Sequence, residues 1–151
     1  MEIAGFLMEK GIDFQKIIDD SFFAKTYGQA KLHGRAVLDS VRILDNRCVY
    51  TVVTTDELRE YGCTVKATDG IVDQLRIIEG IEIAFLLYQT GNPDEYKVSL
   101  RTNSAVDVSR IAQSFGGGGH VKAAGCTMTG EPQEIVEKIS GKIREQWEEL
   151  K

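Results

Sequence analysis

The chain has 151 residues, 42% hydrophobic and 27% charged, enough for one ordinary globular domain with a small appendage. Its formal net charge of −5 argues against a wide basic face for duplex phosphate, while leaving room for a short anion in one local positive pocket. Cys48, Cys63 and Cys126 are odd in number and widely spaced, matching neither a disulfide framework nor a metal knuckle. They read as reduced, buried thiols of a cytosolic protein. No apolar run approaches the ~18 residues of a membrane span, and the start, MEIAGFLMEKG, lacks the positive n-region of a signal peptide. A cytoplasmic protein without a membrane partner is expected.

Residues 2–10 predict a short helix with Ile3, Phe6 and Leu7 on one face, ended by Gly11. Asp13 is a candidate cap for a second helix carrying Phe14, Ile17 and Ile18. Both are too short to be stable alone, so their apolar faces need either another body or this domain's own sheet. A longer helix is expected over Tyr27 to Leu38. His33 lies within it between Lys31 and Arg35, with no acidic or sulfur neighbour in sequence, and reads as a solvated helical residue. The two histidines, His33 and His120, form no spaced metal motif, so no metal ligand is assigned in this chain.

From Val41 the period becomes strand-like: VRILDNRCVYTVVTT predicts two strands around an Asp45-Asn46 turn. DELREYG is a brief helical turn closed by Gly62. IVDQLRIIEG predicts a helix ending at Gly80, with Val72, Leu75 and either Ile78 or Ile71 as its stripe. IEIAFLLYQ is nearly all apolar, as a central strand covered on both faces would be. After the Gly91-Asn92-Pro93-Asp94 turn, YKVSLRT alternates, with Tyr96, Val98 and Leu100 on one side and Lys97, Ser99 and Arg101 on the other.

Asp107 is a candidate N-cap for VSRIAQSF, whose stripe is Val108, Ile111, Ala112 and Phe115. VKAAGCTM predicts a buried strand beginning near Val121. Pro132 suits the first turn of a last helix with Val136, Ile139, Ile143 and Trp147 as its seam. The resulting class is α/β with α+β character, a small mixed β-sheet packed with helices and preceded by a short helical segment.

Between the last helix-ending stripe and the last strand lie Gly116, Gly117, Gly118 and Gly119, then His120. A glycine run is entropically costly and needs a local reason. One is a long cap and tight turn between helix and strand. The other is a backbone surface whose N–H groups meet an anion, with His120 at its rim as donor or proton carrier. Arg101, at a strand end, is either a solvated arginine or a forked phosphate donor. Lys122 offers a point charge. No stretch packs several acids with a histidine, so the chain reads as the gripping half of a phosphate-ester site, without the metal-holding half.

The segment SLRTNSAVDVSRIAQSFGGGGHVKAAG resembles the signature of the C-terminal, DHH-associated domain of DHH-family phosphoesterases, in the branch of oligoribonucleases and 3′-phosphoadenosine 5′-phosphate phosphatases also labelled exopolyphosphatase-related. DGIVDQLRIIEGIEIAFLLYQ is similar to the helix and strand preceding it. The resemblance implies that 41–151 is the substrate-binding domain and that 1–40 is the helical tail of a missing N-terminal domain plus the connecting helix. It implies roles as well. Arg101 would bind a substrate phosphate, and Gly116 to Gly119 would lie against substrate backbone. His120 would reach the metal-bound phosphate as the catalytic residue, and Ala123, Ala124 and Gly125 would support the loop. Manganese or magnesium ions are then expected in the missing domain, since neither an Asp-His-His nor an Asp-x-Asp motif occurs here. The implied partners are that domain and a short oligonucleotide or nucleotide bisphosphate; an oligomer stays open. The polypeptide alone is expected to be inactive. A stand-alone nucleotide-binding module and a cyclic-dinucleotide phosphodiesterase fragment are the alternatives.

Overall fold

The computed structural model describes residues 11–18 and 25–151, so the helix expected over 2–10 lies outside the described residues. A short helix α1 (Phe14–Ile18) follows Asp13, whose carboxylate accepts from the Lys16 amide at 3.0 Å. Helix α2 (Tyr27–Leu38) is capped by Thr26. The hairpin strands β1 (Val41–Ile43) and β2 (Cys48–Val53) come next, joined by Leu44, Asp45 and Asn46, all three at positive φ. Helix α3 (Thr55–Glu60) opens with a reciprocal capping box between Thr54 and Glu57. A 3₁₀ turn (Val65–Thr68) leads to α4 (Ile71–Arg76), and then to β3 (Ile83–Gln89) and β4 (Glu95–Thr102). The chain ends with α5 (Val108–Ser114), β5 (Gly118–His120), β6 (Ala123–Thr129) and α6 (Pro132–Glu149).

The six strands form one mixed sheet in the order β1-β2-β3-β4-β6-β5, with β2 and β3 parallel and the other pairs antiparallel. Its two faces are covered unequally. On one, Phe85, Val98, Leu100 and Cys126 meet Ile111 of α5 and Ile135, Ile139 and Ile143 of α6. On the other, Val49, Val53, Ala84 and Leu86 meet Leu32 and Ala36 of α2, Leu58 of α3 and Ile71, Val72 and Leu75 of α4. The nearly unbroken apolar run of β3 follows from this, because α4 covers one of its faces and α5 and α6 the other. The second helical layer covers β2 and β3. On β4, β6 and β5 the same face carries Lys97, Ser99, Arg101, Gly125 and His120, all at least partly accessible.

Three sequence expectations need correction. His33 is not solvated: it is 3% exposed, and its Nε2 bonds the Ala67 carbonyl at 2.7 Å while Nδ1 bonds the Gln74 amide at 2.9 Å and Lys25 at 3.3 Å. Burial pulls the His33 pKa below the ordinary histidine value. The helix after Gly70 stops at Arg76 instead of Gly80, leaving Ile77 75% exposed; its stripe uses Ile71, not Ile78. The strand after the glycines begins at Ala123, and Val121 is 53% exposed in the preceding turn.

Candidate functional site

The glycine run is positioned from both ends. Asp107 caps α5, accepting from the Ser109 and Arg110 amides, and the Ser109 hydroxyl bond is the largest influence holding its carboxyl below the usual carboxylate range. The Gln146 side chain of α6 brackets Asp107, accepting from its N–H and donating to its carbonyl, both at 2.8 Å. Helix α5 is thereby fixed to α6 at its start, and its far end delivers the glycines.

Two glycines serve that helix end. Gly116 (φ +83°) donates to the Gln113 carbonyl at 3.1 Å and Gly117 to the Ala112 carbonyl at 2.8 Å. The next two continue into β5, which periodicity could not reveal because Gly-Gly-His carries no strand pattern. The pairing places Gly118 opposite Gly125, Gly119 opposite Ala124 and His120 opposite Ala123. Close approach accounts for two of the glycines. A Cβ at Gly117 would lie 2.1 Å from the Gly125 carbonyl oxygen, and one at Gly119 would lie 2.6 Å from the Ala123 oxygen. Gly118 has open space around it. As the outermost of the described strands, β5 also has one side of its backbone without a strand partner among the described residues.

Arg101 and His120 share a face. Arg101 pairs with Ala123 on one side of β6 and His120 pairs with the same residue on the other. Directly opposed residues in a sheet project to the same side. The floor between them is Ala123, Gly125 and Gly118, so nothing larger than a methyl group rises from it. His120 is exposed and Arg101 is partly buried. The Arg101 Nε lies 3.4 Å from the Asp73 carboxylate, and Nη1 donates to the Leu100 carbonyl at 3.0 Å.

Two pockets open on this face. One, of about 370 Å³, is lined by Arg101, Asp73, Arg76, Asn103, Lys122 and Ala123 among others. Lys122 thus joins Arg101, and its carbonyl accepts from the Thr102 amide at 3.1 Å. The other, of about 390 Å³, lies along the glycine loop, where Tyr88, Lys97, Ser99 and Phe115 surround the Gly116-Gly117 backbone. Asp73, Arg76, Lys97 and Tyr88 escaped sequence reasoning. A weak signal existed in Lys97 and Ser99, which alternate onto the same side of β4 as Arg101. For Asp73 and Arg76 on α4 there was none, since sequence does not reveal that α4 meets the end of β4.

A metal does not fit these side chains. Among the described residues no group of three or more His, Cys, Asp or Glu could hold an ion. The carboxylate nearest the arginine, Asp73, is engaged by two guanidiniums. No described helix is both long and apolar enough to cross a membrane.

The family model of the DHHA1 domain matches residues 45–148. Over 96 residues the chain is 31% identical to the bifunctional oligoribonuclease and PAP phosphatase NrnA of Thermus thermophilus, covering 63% of this chain and 29% of that protein. It is 55% identical over 40 residues to oligoribonuclease NrnB of Bacillus subtilis, covering 26% of this chain and 10% of the relative. The chain therefore spans less than a third of the curated relatives it matches. Among solved structures, an exopolyphosphatase-related protein from Bacteroides fragilis shares the fold, with a TM-score of 0.86 at 22% identity over 95% of this chain and 42% of that one. With its mixed sheet, its two-sided helical cover and a family match reaching from the hairpin to the last helix, the chain belongs to the DHHA1 domain family.

Proposed function

We propose that this chain is the substrate-gripping part of a metal-dependent phosphoesterase that hydrolyses short oligonucleotides or a nucleotide 3′,5′-bisphosphate. The observation that carries this reading is the shared face of Arg101 and His120 above a floor of Ala123, Gly125 and Gly118. A ligand lying there can approach backbone closely, with a guanidinium at one side and an imidazole at the other. Arg101 supplies a charge-assisted donor to a phosphate oxygen, worth more than a neutral bond. His120, exposed at the rim, donates to or exchanges a proton with a second phosphate group, and is the residue assigned to the reacting centre. Gly116 to Gly119 border the phosphate-sugar backbone, and Lys122 adds charge beside Arg101.

The fit to a short ligand rests on size and charge. The two pockets lie on neighbouring parts of one sheet face, and the rest of the protein is acidic overall. In this reading 41–151 form the binding domain and residues 1–40 lead in from a catalytic domain, with α2 packed onto the binding domain's sheet. The hydrolytic step needs ligands for manganese or magnesium that the described residues do not supply. Similarity to NrnA and NrnB, which are named for oligoribonuclease and PAP phosphatase activities, supports the choice of substrate class.

Calorimetric titration of the 151-residue chain with a 5′-phosphorylated diadenylate tests this. Saturable binding, weakened by Arg101→Ala and by His120→Ala at unchanged melting temperature, is expected. Absence of binding, or binding indifferent to both substitutions, overturns the reading. Manganese-dependent turnover of a short RNA by this chain alone would overturn its assignment as the gripping half.

A further inference from the structure

Beyond Arg101 and His120, the first pocket contains a charge arrangement that a single phosphodiester does not use fully. Asp73 Oδ1 lies 3.1 Å from Arg76 Nε and 3.4 Å from Arg101 Nε, so one carboxylate oxygen bridges two guanidiniums. Each guanidinium has a second tie. Arg101 Nη1 donates to the Leu100 carbonyl at 3.0 Å, and Arg76 Nη1 donates to the Asn103 side chain at 3.4 Å. Asn103 is itself held, donating to the Arg76 carbonyl at 2.6 Å and to the Ile81 carbonyl at 3.3 Å. Both guanidiniums are therefore oriented before any ligand arrives, leaving their Nη2 amines without a protein acceptor among the described residues.

We infer that this pocket binds a terminal phosphomonoester, a second phosphate beside the one being cleaved, with Arg76 as the residue that selects for it. The inference rests on the nucleotide-binding reading of the same face. Arg76, Arg101 and Lys122 bring three positive charges to the pocket and Asp73 one negative charge, a balance of +2. A phosphomonoester carries about −1.5 to −2 at neutral pH because its second ionisation lies near pH 6. An internal phosphodiester carries one charge and would leave the pocket undercompensated. Planar guanidiniums suit three terminal oxygens better than ammonium groups do, because each presents paired N–H donors. Asp73 acts as a positioning residue: it holds both guanidiniums by their Nε atoms and keeps two like charges tolerable at close range.

This assignment links the two substrate classes. A 5′-phosphorylated oligonucleotide and a nucleoside 3′,5′-bisphosphate share one chemical feature, a phosphomonoester that is not attacked and lies next to a phosphate that is. Arg76 then reads the spectator phosphate and His120 faces the reacting one.

The test compares two probes on the 151-residue chain by calorimetry, diadenylate with a 5′-phosphate and diadenylate without it. The phosphorylated probe is expected to bind at least about tenfold more tightly, the worth of an added charge-assisted bond. Arg76→Gln should reduce that ratio to near one, through weaker binding of the phosphorylated probe. Arg76→Lys, which keeps the charge but not the fork, should give an intermediate ratio; it also serves if the glutamine variant unfolds. Equal binding of the two probes by the parent chain overturns the inference and leaves the broader function intact. A tenfold preference that survives both Arg76 substitutions overturns it too. Failure of both probes to bind overturns the broader function and this inference together.

Discussion

Arg101 on β4 and His120 on β5 are both directly opposite Ala123, one from each side of β6. Two strand spacings separate them, about 10 Å between Cα positions. Their relation is set by backbone pairing, so neither has to be placed by a flexible loop. Arg101→Ala should weaken a phosphorylated dinucleotide by ~1.5–3 kcal/mol, the range for a bond to a charged group. Arg101→Lys should recover part of this loss, since an ammonium keeps the charge without the fork. Calorimetry on the three proteins checks the order. A lysine variant no better than alanine would mean that geometry, not charge, dominates at this position.

The glycines separate into two kinds, and substitution by alanine distinguishes them. Gly117→Ala forces a Cβ to 2.1 Å from backbone oxygen, and Gly119→Ala brings one to 2.6 Å at φ +145°. Backbone cannot yield as a side chain end does, so each should cost at least the ~1–3 kcal/mol typical of overpacking. Gly118→Ala meets nothing and has no positive φ. It should melt like the parent but bind ligand less well, because its methyl group rises from the floor between Ser99 and the open edge. Melting curves beside titrations check this. Equal destabilisation by all three substitutions would contradict the close-approach geometry.

Much of the sheet was legible because its signals are local. The Asp107 cap lies next to the helix it starts, the Asp45-Asn46 turn joins its own strands, and the β3 run states its double burial directly. The β5 strand was hidden, since its glycines satisfy a pairing imposed by β6 and have no side chains to alternate. His33 was misread because its partners Ala67 and Gln74 lie 34 and 41 positions away. The Arg101 and His120 part of the face could be read from a strand end and a glycine-histidine run. The Asp73–Arg76 part could not, because nothing in a helix sequence says which strand end it will meet.

The thiols should differ in reactivity. Burial pushes the Cys48 thiol up to about 12 and the Cys126 thiol up to about 11, so neither forms appreciable thiolate near neutral pH. Cys63 is half-buried beyond α3, with its Sγ 3.5 Å from the Tyr61 carbonyl. Alkylation of the native chain at pH 8 should therefore label Cys63 first, and denaturant should expose all three. Mass mapping of the modified peptides checks the order. Early labelling of Cys48 would show that the α6 side of the sheet opens more readily than its packing implies.

His33 makes stability depend on pH in a defined direction. Desolvation is the largest cause lowering its folded pKa, with the Lys25 charge adding to it, while the Ala67 bond and Asp69 act the other way. The unfolded chain restores a value near 6.5. Above that pH both states are neutral at this position, and the contribution to stability is complete. As pH falls below about 6.5 the unfolded state binds a proton that the folded state resists, and the contribution is lost by the time pH passes through the folded pKa. The slope can reach about 1.4 kcal/mol per pH unit for one proton. Melting temperature should fall between pH 7.5 and 5.5 in the parent chain. His33→Gln should start lower, because the bonds to Gln74 and Lys25 are weakened or lost, but should then vary little across the window. Parallel slopes in the two proteins would place the acid sensitivity elsewhere and rule out His33 as its source.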